Sequence, residues 1–435
     1  MRKIWLERVM PYWEASPSLR RWLGLITTFV AGQGSLQIIQ LVSGILLLRW
    51  LTVEEYAQYS MAYAFQHTAK TLVEFGFSGS IVALVGKRIH DKQVVGRYIK
   101  TGKFFRDRSF IIISIGCLIV FPYLALKQGW DHETIAWLTG GIIGFLFFSG
   151  WISYYSPPLK MHQKIGTIYR IQLKGGVLRF LGLAAMHFSS VLNGWLAVFA
   201  GTFMTVFNGY SMKRESGAIV EEPAKAGEAE QKEMWKYVSP LIPGILFYAF
   251  QGQILILIIS VFGNTSGIAE MGALGRLAQL FSILNTGSVM LVAPFIARQD
   301  ARGLLKKYLF IMAIGVAISL VLIAFSLIFP EPLLWVMGPR YSHLQTEVSL
   351  LILNSSLIFL SGLMWQMNAA RKWIYPWMPM IIIPGTIVLQ VSCASLMDLS
   401  STYNVLLFSL FSITFNLIVR TGITIYGFTY SNQPE

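Results

Sequence analysis

The chain is divided into apolar runs, each long enough to cross a bilayer, and this limits its fold more than any motif does. About 20 apolar residues in a helix cover the hydrocarbon thickness, and a helix satisfies its own backbone groups there. Phe110–Leu126 and Met312–Phe329 are such runs. Twelve stretches qualify: 23–48, 57–85, 109–126, 134–155, 175–192, 194–212, 238–262, 268–297, 309–329, 348–370, 377–397 and 402–426. Tight turns, Asn193–Gly194 and Gly263–Gly267, separate two of the pairs. Composition agrees: 54% of residues are hydrophobic and 13% charged, about half the charge density of a soluble domain. The reading is an all-α integral membrane protein. The cysteines, Cys117 and Cys393, both lie in apolar runs, which excludes a disulfide-stapled secreted domain. The first span is too long for a signal peptide and no small-residue cleavage site follows it, so it is expected in the mature protein.

The net charge of +14 suggests a nucleic-acid partner until the charges are placed. Of 35 basic residues, 28 fall in the segments on the N-terminal side of the membrane. Arg49, Lys127 and Arg340 fall on the other side, and Lys70, Arg179, Arg276 and Arg420 lie within spans. That asymmetry predicts cytoplasmic N- and C-termini. It explains the charge by orientation and contact with anionic membrane lipids, so no nucleic-acid partner is expected.

The longest hydrophilic interruption, 213–236, contains Pro223, Gly227 and charges of both signs, and is read as a flexible cytoplasmic linker. It divides the chain into a cytoplasmic interfacial segment (1–22), an N-terminal six-helix bundle (23–212), the linker (213–236), a C-terminal six-helix bundle (237–426) and a cytoplasmic tail (427–435). The interfacial segment contains Trp5, Trp13 and Trp22 with five basic residues. Glu55-Tyr56-Ala57-Gln58-Tyr59 is echoed at the same place in the second half by Glu270-Met271-Gly272-Ala273-Leu274, which suggests duplication.

Polar groups inside spans carry the functional information, because each costs free energy in lipid. In span two, Tyr59, Ser60, Tyr63, Gln66, His67, Lys70, Thr71, Glu74 and Ser78 fall within about 140° of one another on a helix. Two readings stand for Lys70 and Glu74: a cationic stripe facing a water-filled cavity, or an internally neutralised pair four residues apart. Glu74, the one acidic residue well inside a span, is also a candidate coupling group. Gln33, Gln37 and Gln40 share one face of span one, suited to a cavity or to interhelical hydrogen bonds. Arg276 with Gln279 forms a polar face in span eight. Arg179 and Arg420 lie near span ends, where snorkelling explains them, and Arg49 beside Trp50 reads as an interface anchor. Pro240, Pro243 and Gly244 suggest a kink or unwound start to span seven.

Catalytic motifs are missing. No His-Glu-x-x-His pattern occurs, Gly96 to Gly102-Lys103 has the wrong spacing for a P-loop and is followed by Phe104, and Gly76–Ser80 misses the nucleophile-elbow spacing. No enzyme activity, cofactor or metal is expected.

The stretch Gly32-Gln33-Gly34 through Leu48-Arg49-Trp50-Leu51-Thr52-Val53-Glu54-Glu55-Tyr56-Ala57-Gln58-Tyr59 resembles the opening of Wzx-type polysaccharide flippases, the polysaccharide-transporter branch of the MOP superfamily. Glu270–Gln279 resembles a later motif of the same family. The chain departs in having Ala57 where Gly is usual, and Gln251 and Gln253 where relatives often have an acid. The resemblance implies two six-helix bundles of MOP or MATE type around a cavity open alternately to either side. It implies an undecaprenyl-pyrophosphate-linked oligosaccharide as substrate, moved to the outer leaflet of a bacterial inner membrane for O-antigen or exopolysaccharide synthesis. Polysaccharide polymerase and chain-length machinery are then the expected partners. Lys70 and Arg276 would meet the anionic groups, and Gln33, Gln37, Gln40, Gln66, His67 and Tyr63 the sugar hydroxyls. A multidrug exporter of the same superfamily, a membrane glycosyltransferase or ligase, and a non-transporting scaffold are the alternatives. The basic midplane disfavours the exporter, and the short outer loops disfavour the enzyme.

Overall fold

The computed structural model describes residues 17–430 except 224 and 300–302. The predicted interfacial segment lies outside this range up to residue 16. Its remainder continues α1 (Pro17–Trp50). There follow α2 (Val53–Glu74), α3 (Phe77–Val85), α4 (Lys92–Lys127), α5 (His132–Met161), α6 (Ile165–Phe188), α7 (Gly194–Ser216), α8 (Glu228–Val238), α9 (Ile242–Gln251) and α10 (Ile254–Phe262). Then come α11 (Thr265–Ala297), α12 (Leu304–Ile328), α13 (Pro330–Met337), α14 (Gln345–Ala370), α15 (Met378–Leu396) and α16 (Thr402–Tyr430). No strand occurs among the described residues.

Each of the twelve predicted spans coincides with one helix or one bent pair. Six helices are long and apolar enough to cross a membrane by themselves, and two bent pairs bring the number to eight. The other four spans coincide with α1, α6, α7 and α11, each at least 23 residues long. Leu320, Val321, Val388 and Leu396 project outward, as a hydrocarbon solvent requires. Residues 427–430 of the predicted tail continue α16, which runs to Tyr430.

Local chemistry accounts for the reversals. Asn193 and Asn264 accept hydrogen bonds from Leu196 N (3.0 Å) and Gly267 N (2.9 Å), capping α7 and α11. A capping box between Thr52 and Glu55 starts α2. Two breaks differ from the sequence reading. Span two is not one helix: Phe75 (φ 40°) and Gly76 (φ 77°) adopt left-handed backbone, and α3 leaves α2 at 41°. The 62° bend of span seven lies at Gly252–Gln253. The prolines instead open a 3-10 turn, Ser239–Leu241, and the first turn of α9.

The segment between the halves also differs from the expected flexible linker, since α8 forms within it. Met234 and Val238, four residues apart, pack into a cluster with Phe77, Val95 and Ile99 from α3 and α4. The acidic residues find the basic end of α4: Arg97 pairs with Glu230 and Lys103 with Glu222, both at 2.8 Å, and Tyr98 donates to Glu233. Glu221 N bonds Lys92 O at 3.1 Å. The segment's mixed charge therefore matches a specific face of the N-terminal half.

Glu222 also accepts from the Tyr155 hydroxyl at 2.6 Å. Burial alone would raise its pKa, but Lys103 and Tyr155 outweigh burial and hold the carboxyl below its ordinary value. A depressed folded-state value means this docking contribution is complete above the ordinary carboxylate range, about 4.3. It is lost as pH falls through the depressed value. An environment-sensitive dye attached through Gly217→Cys is expected to report undocking on acidification, with a smaller acid response in Glu222→Gln, which starts partly released.

Candidate functional site

A cavity of ≈ 370 Å³ lies among α1, α2, α5, α6, α7 and α11. Eight of the nine residues singled out from the sequence line it: Gln33, Gln37 and Gln40 from α1, Tyr63, Gln66, His67 and Lys70 from α2, and Arg276 from α11. Residues more than 200 positions apart thus share one wall. The predicted stripe of span two is nevertheless split. Tyr59, Tyr63, His67 and Lys70 follow the cavity, whereas Ser60 turns to a second, more apolar pocket of ≈ 310 Å³ beside the α9–α10 break.

The third cation of the cavity is Arg179, which the sequence reading assigned to snorkelling. It donates to the Tyr59 hydroxyl at 3.0 Å, from α6. Glycines at 175 and 176 let α6 approach its neighbours; a Cβ at 176 would sit 3.3 Å from Ile39 of α1. The available signal was the neighbouring Gln172, which also lines the cavity one face along α6. Arg420 does not join this site: it donates to Ser361 O at 2.9 Å and lies over the Trp365 ring.

Arg276 is held without a carboxylate. Its Nε donates to the Tyr56 hydroxyl at 3.1 Å, and its guanidinium lies 5.6 and 5.4 Å from the ring centres of Tyr59 and Tyr63. The rings of Tyr59, Tyr63 and His67 follow one another at 6.1 and 4.2 Å, an aromatic ladder along α2. Gln37 reaches Thr286 of α11 at 3.2 Å, and Gln66 donates to Gly141 O of α5 at 3.2 Å, so part of their hydrogen-bonding capacity serves packing.

Glu74 does not line the cavity, and no Lys70–Glu74 ion pair forms among the described residues. The break at Phe75 ends α2 at Glu74, whose carboxylate accepts from Ser153 of α5 and, at 3.5 Å, from Ser78. Neither sequence reading of the pair is met in geometry: Lys70 faces the cavity without its predicted partner, and the candidate coupling carboxylate faces serines. Among the described residues, no acidic side chain lines the cavity. It contains three cations, Lys70, Arg179 and Arg276, and a set of amide and hydroxyl groups. Arg276 is buried and Lys70 and Arg179 half-buried; cations withdrawn from water without counter-charge are costly, and an anion in their midst relieves that cost.

Residues 25–214 match the polysaccharide biosynthesis protein family. The match covers 190 of the 435 residues. Over 92–94% of its length the chain shares its fold with solved structures of a lipid II flippase and a MATE transporter. The lipid II flippase MurJ in an inward closed conformation superposes with a TM-score of 0.66 at 11% identity, over 92% of this chain and 88% of MurJ. A point mutant of the Vibrio cholerae MATE transporter VcmN gives 0.58 at 13% identity, over 94% and 97%. A Pyrococcus furiosus MOP-superfamily transporter, described as having a binding pocket of reverse polarity, gives 0.56 at 13% identity, over 93% of each chain. At these identities the likeness to the solved structures is one of fold. No curated protein matches the chain in sequence. The polar wall depends on close helix approach: a Cβ on Gly44 of α1 would lie 2.9 Å from Arg276 Cδ and 3.0 Å from its Nε.

Gly44→Ala is therefore expected to push Arg276 off Tyr56, where a charge-assisted hydrogen bond is worth about 1.5–3 kcal/mol. The unfolding midpoint of the detergent-purified protein should fall, whereas Gly34→Ala, where an added Cβ meets nothing within 4 Å, should leave it unchanged. Thermal melts of the two variants beside the parent measure both.

Proposed function

We propose that the protein flips an anionic lipid-linked oligosaccharide, of the undecaprenyl-pyrophosphate class, from the inner to the outer leaflet of the bacterial inner membrane for surface polysaccharide synthesis. The observation that carries this reading is the cavity of three cations with no acidic lining residue among those described. Pyrophosphate and acidic sugars supply the missing negative charge, and in a low-dielectric site that complementarity is strong. The glutamine amides and the aromatic ladder suit sugar hydroxyls and ring faces, while the lipid tail stays in the bilayer. A carrier of cationic drugs would need the opposite polarity.

In this reading the basic end faces the cytoplasm, and the six-span halves on either side of 213–236 move against each other around the cavity. No bond is made or broken. Binding in one state and release in the other require only that the ligand and a gradient bias a two-state equilibrium. Polymerase and chain-length proteins would take the product at the outer face.

Lys70→Ala and Arg179→Ala are each expected to abolish glycan export at normal protein level, and Lys70→Arg to retain part of it. Purified variants in liposomes with a fluorescent lipid-linked glycan provide the direct measurement. Normal flipping by both alanine variants would remove the cationic cavity as the substrate site.

A further inference from the structure

We propose that the end of the molecule opposite the basic face is shut by a clasp of three cations, Arg49, Lys127 and Arg340, each bonded to backbone carbonyls of the other half. The inference rests on the alternating-cavity reading above. These three are the basic residues that charge sorting leaves at this end. Arg49, in the last turn of α1, donates through Nε to Val336 O at 3.3 Å and through Nη2 to Trp335 O. Its guanidinium lies 4.7 Å from the Trp335 ring centre. Both carbonyls belong to the last turn of α13. Arg340 returns the contact, donating through Nη1 to Leu51 O just beyond α1. Lys127, the last residue of α4, donates to Val261 O at 2.5 Å, and Gln128 to Ser260 O at 3.2 Å, at the end of α10.

One chemistry recurs at all three places. The last carbonyls of a helix have no partner inside it and form the negative end of its dipole. A cation from the other half supplies what the helix lacks. None of the three forms an ion pair with a carboxylate among the described residues. Water at the surface can replace a carbonyl bond when the halves part, so each contact is reversible in a way a buried ion pair is not. On α1 and α2 the cavity lining stops at Gly44 and Tyr59, more than a turn short of these contacts, while on α7 it reaches Ala197 near the start of that helix. The clasp therefore stands between the cavity and the outer surface of the proposed orientation, and opening that end requires breaking it.

The test uses the full chain with Cys117→Ser, Cys393→Ser and one reporter, Gly201→Cys, in the cavity wall where an added Cβ meets open space. A membrane-impermeant maleimide is applied to each face of oriented vesicles. Arg49→Gln is expected to raise labelling from the face opposite the basic end about threefold. The triple variant Arg49→Gln, Lys127→Gln, Arg340→Gln should raise it about tenfold, a shift of about 1.4 kcal/mol in the two-state balance. Arg371→Gln removes a cap of the same chemistry within one half, Arg371 Nη1 to Gln299 O at 2.9 Å, and should leave labelling unchanged. Parental labelling in a triple variant present at parental level overturns the clasp, as does an equal rise in Arg371→Gln. Should the triple variant fail to accumulate, the single variants decide, and parental labelling in all three overturns it. A parent labelled from neither face overturns the alternating-cavity reading and the clasp with it, whereas a labelled parent with an unresponsive triple variant defeats the clasp alone.

Discussion

One hydroxyl joins the two halves of the protein beside the cavity. Tyr56 of α2 donates to Gly272 O of α11 at 3.2 Å and accepts from Arg276 Nε at 3.1 Å. A buried guanidinium with no carboxylate needs acceptors and ring faces, and α2 supplies both through Tyr56, Tyr59 and Tyr63. That is possible only because the two helices approach closely. A side chain at Gly272 would overlap Ser60 and stand 3.1 Å from the Tyr56 ring. The short motif and its echo in the second half, Glu55–Tyr59 and Glu270–Leu274, are thus in contact with each other, an arrangement that duplicated halves facing across an axis would produce.

The two ends of the molecule handle charge by different chemistry. At the basic end, the acids of 221–233 meet the cations of α4 as ion pairs, which fix the intervening segment to the N-terminal half. At the opposite end, cations meet backbone carbonyls across the halves. Between them lies a cavity whose three cations have no carboxylate partner among the described residues. A site left electrostatically incomplete in this way is suited to an anion that comes and goes.

The sequence determined what depends on transfer free energy and helical period. Apolar length located the spans, because lipid admits no unsatisfied backbone. The 100° period placed Tyr63, His67 and Lys70 on one face, and the cost of Lys70 and Arg276 in lipid indicated that they face a polar interior. Asn193 and Asn264 marked their turns because a side-chain cap is a local interaction. Tertiary structure decided whatever depends on which helix stands next to which. Arg179, near a span end by count, enters the cavity because Tyr59 lies opposite it. Glu74 leaves Lys70 for Ser153 because the chain turns at Phe75–Gly76, where the other half contributes Ile245 against the glycine. The segment 213–236 reads as solvated when its charges are counted alone, yet it docks because the opposite charges stand on α4. Periodicity reports the face of a helix, but its partner is set by packing between segments far apart in the chain, and no local pattern encodes that distance.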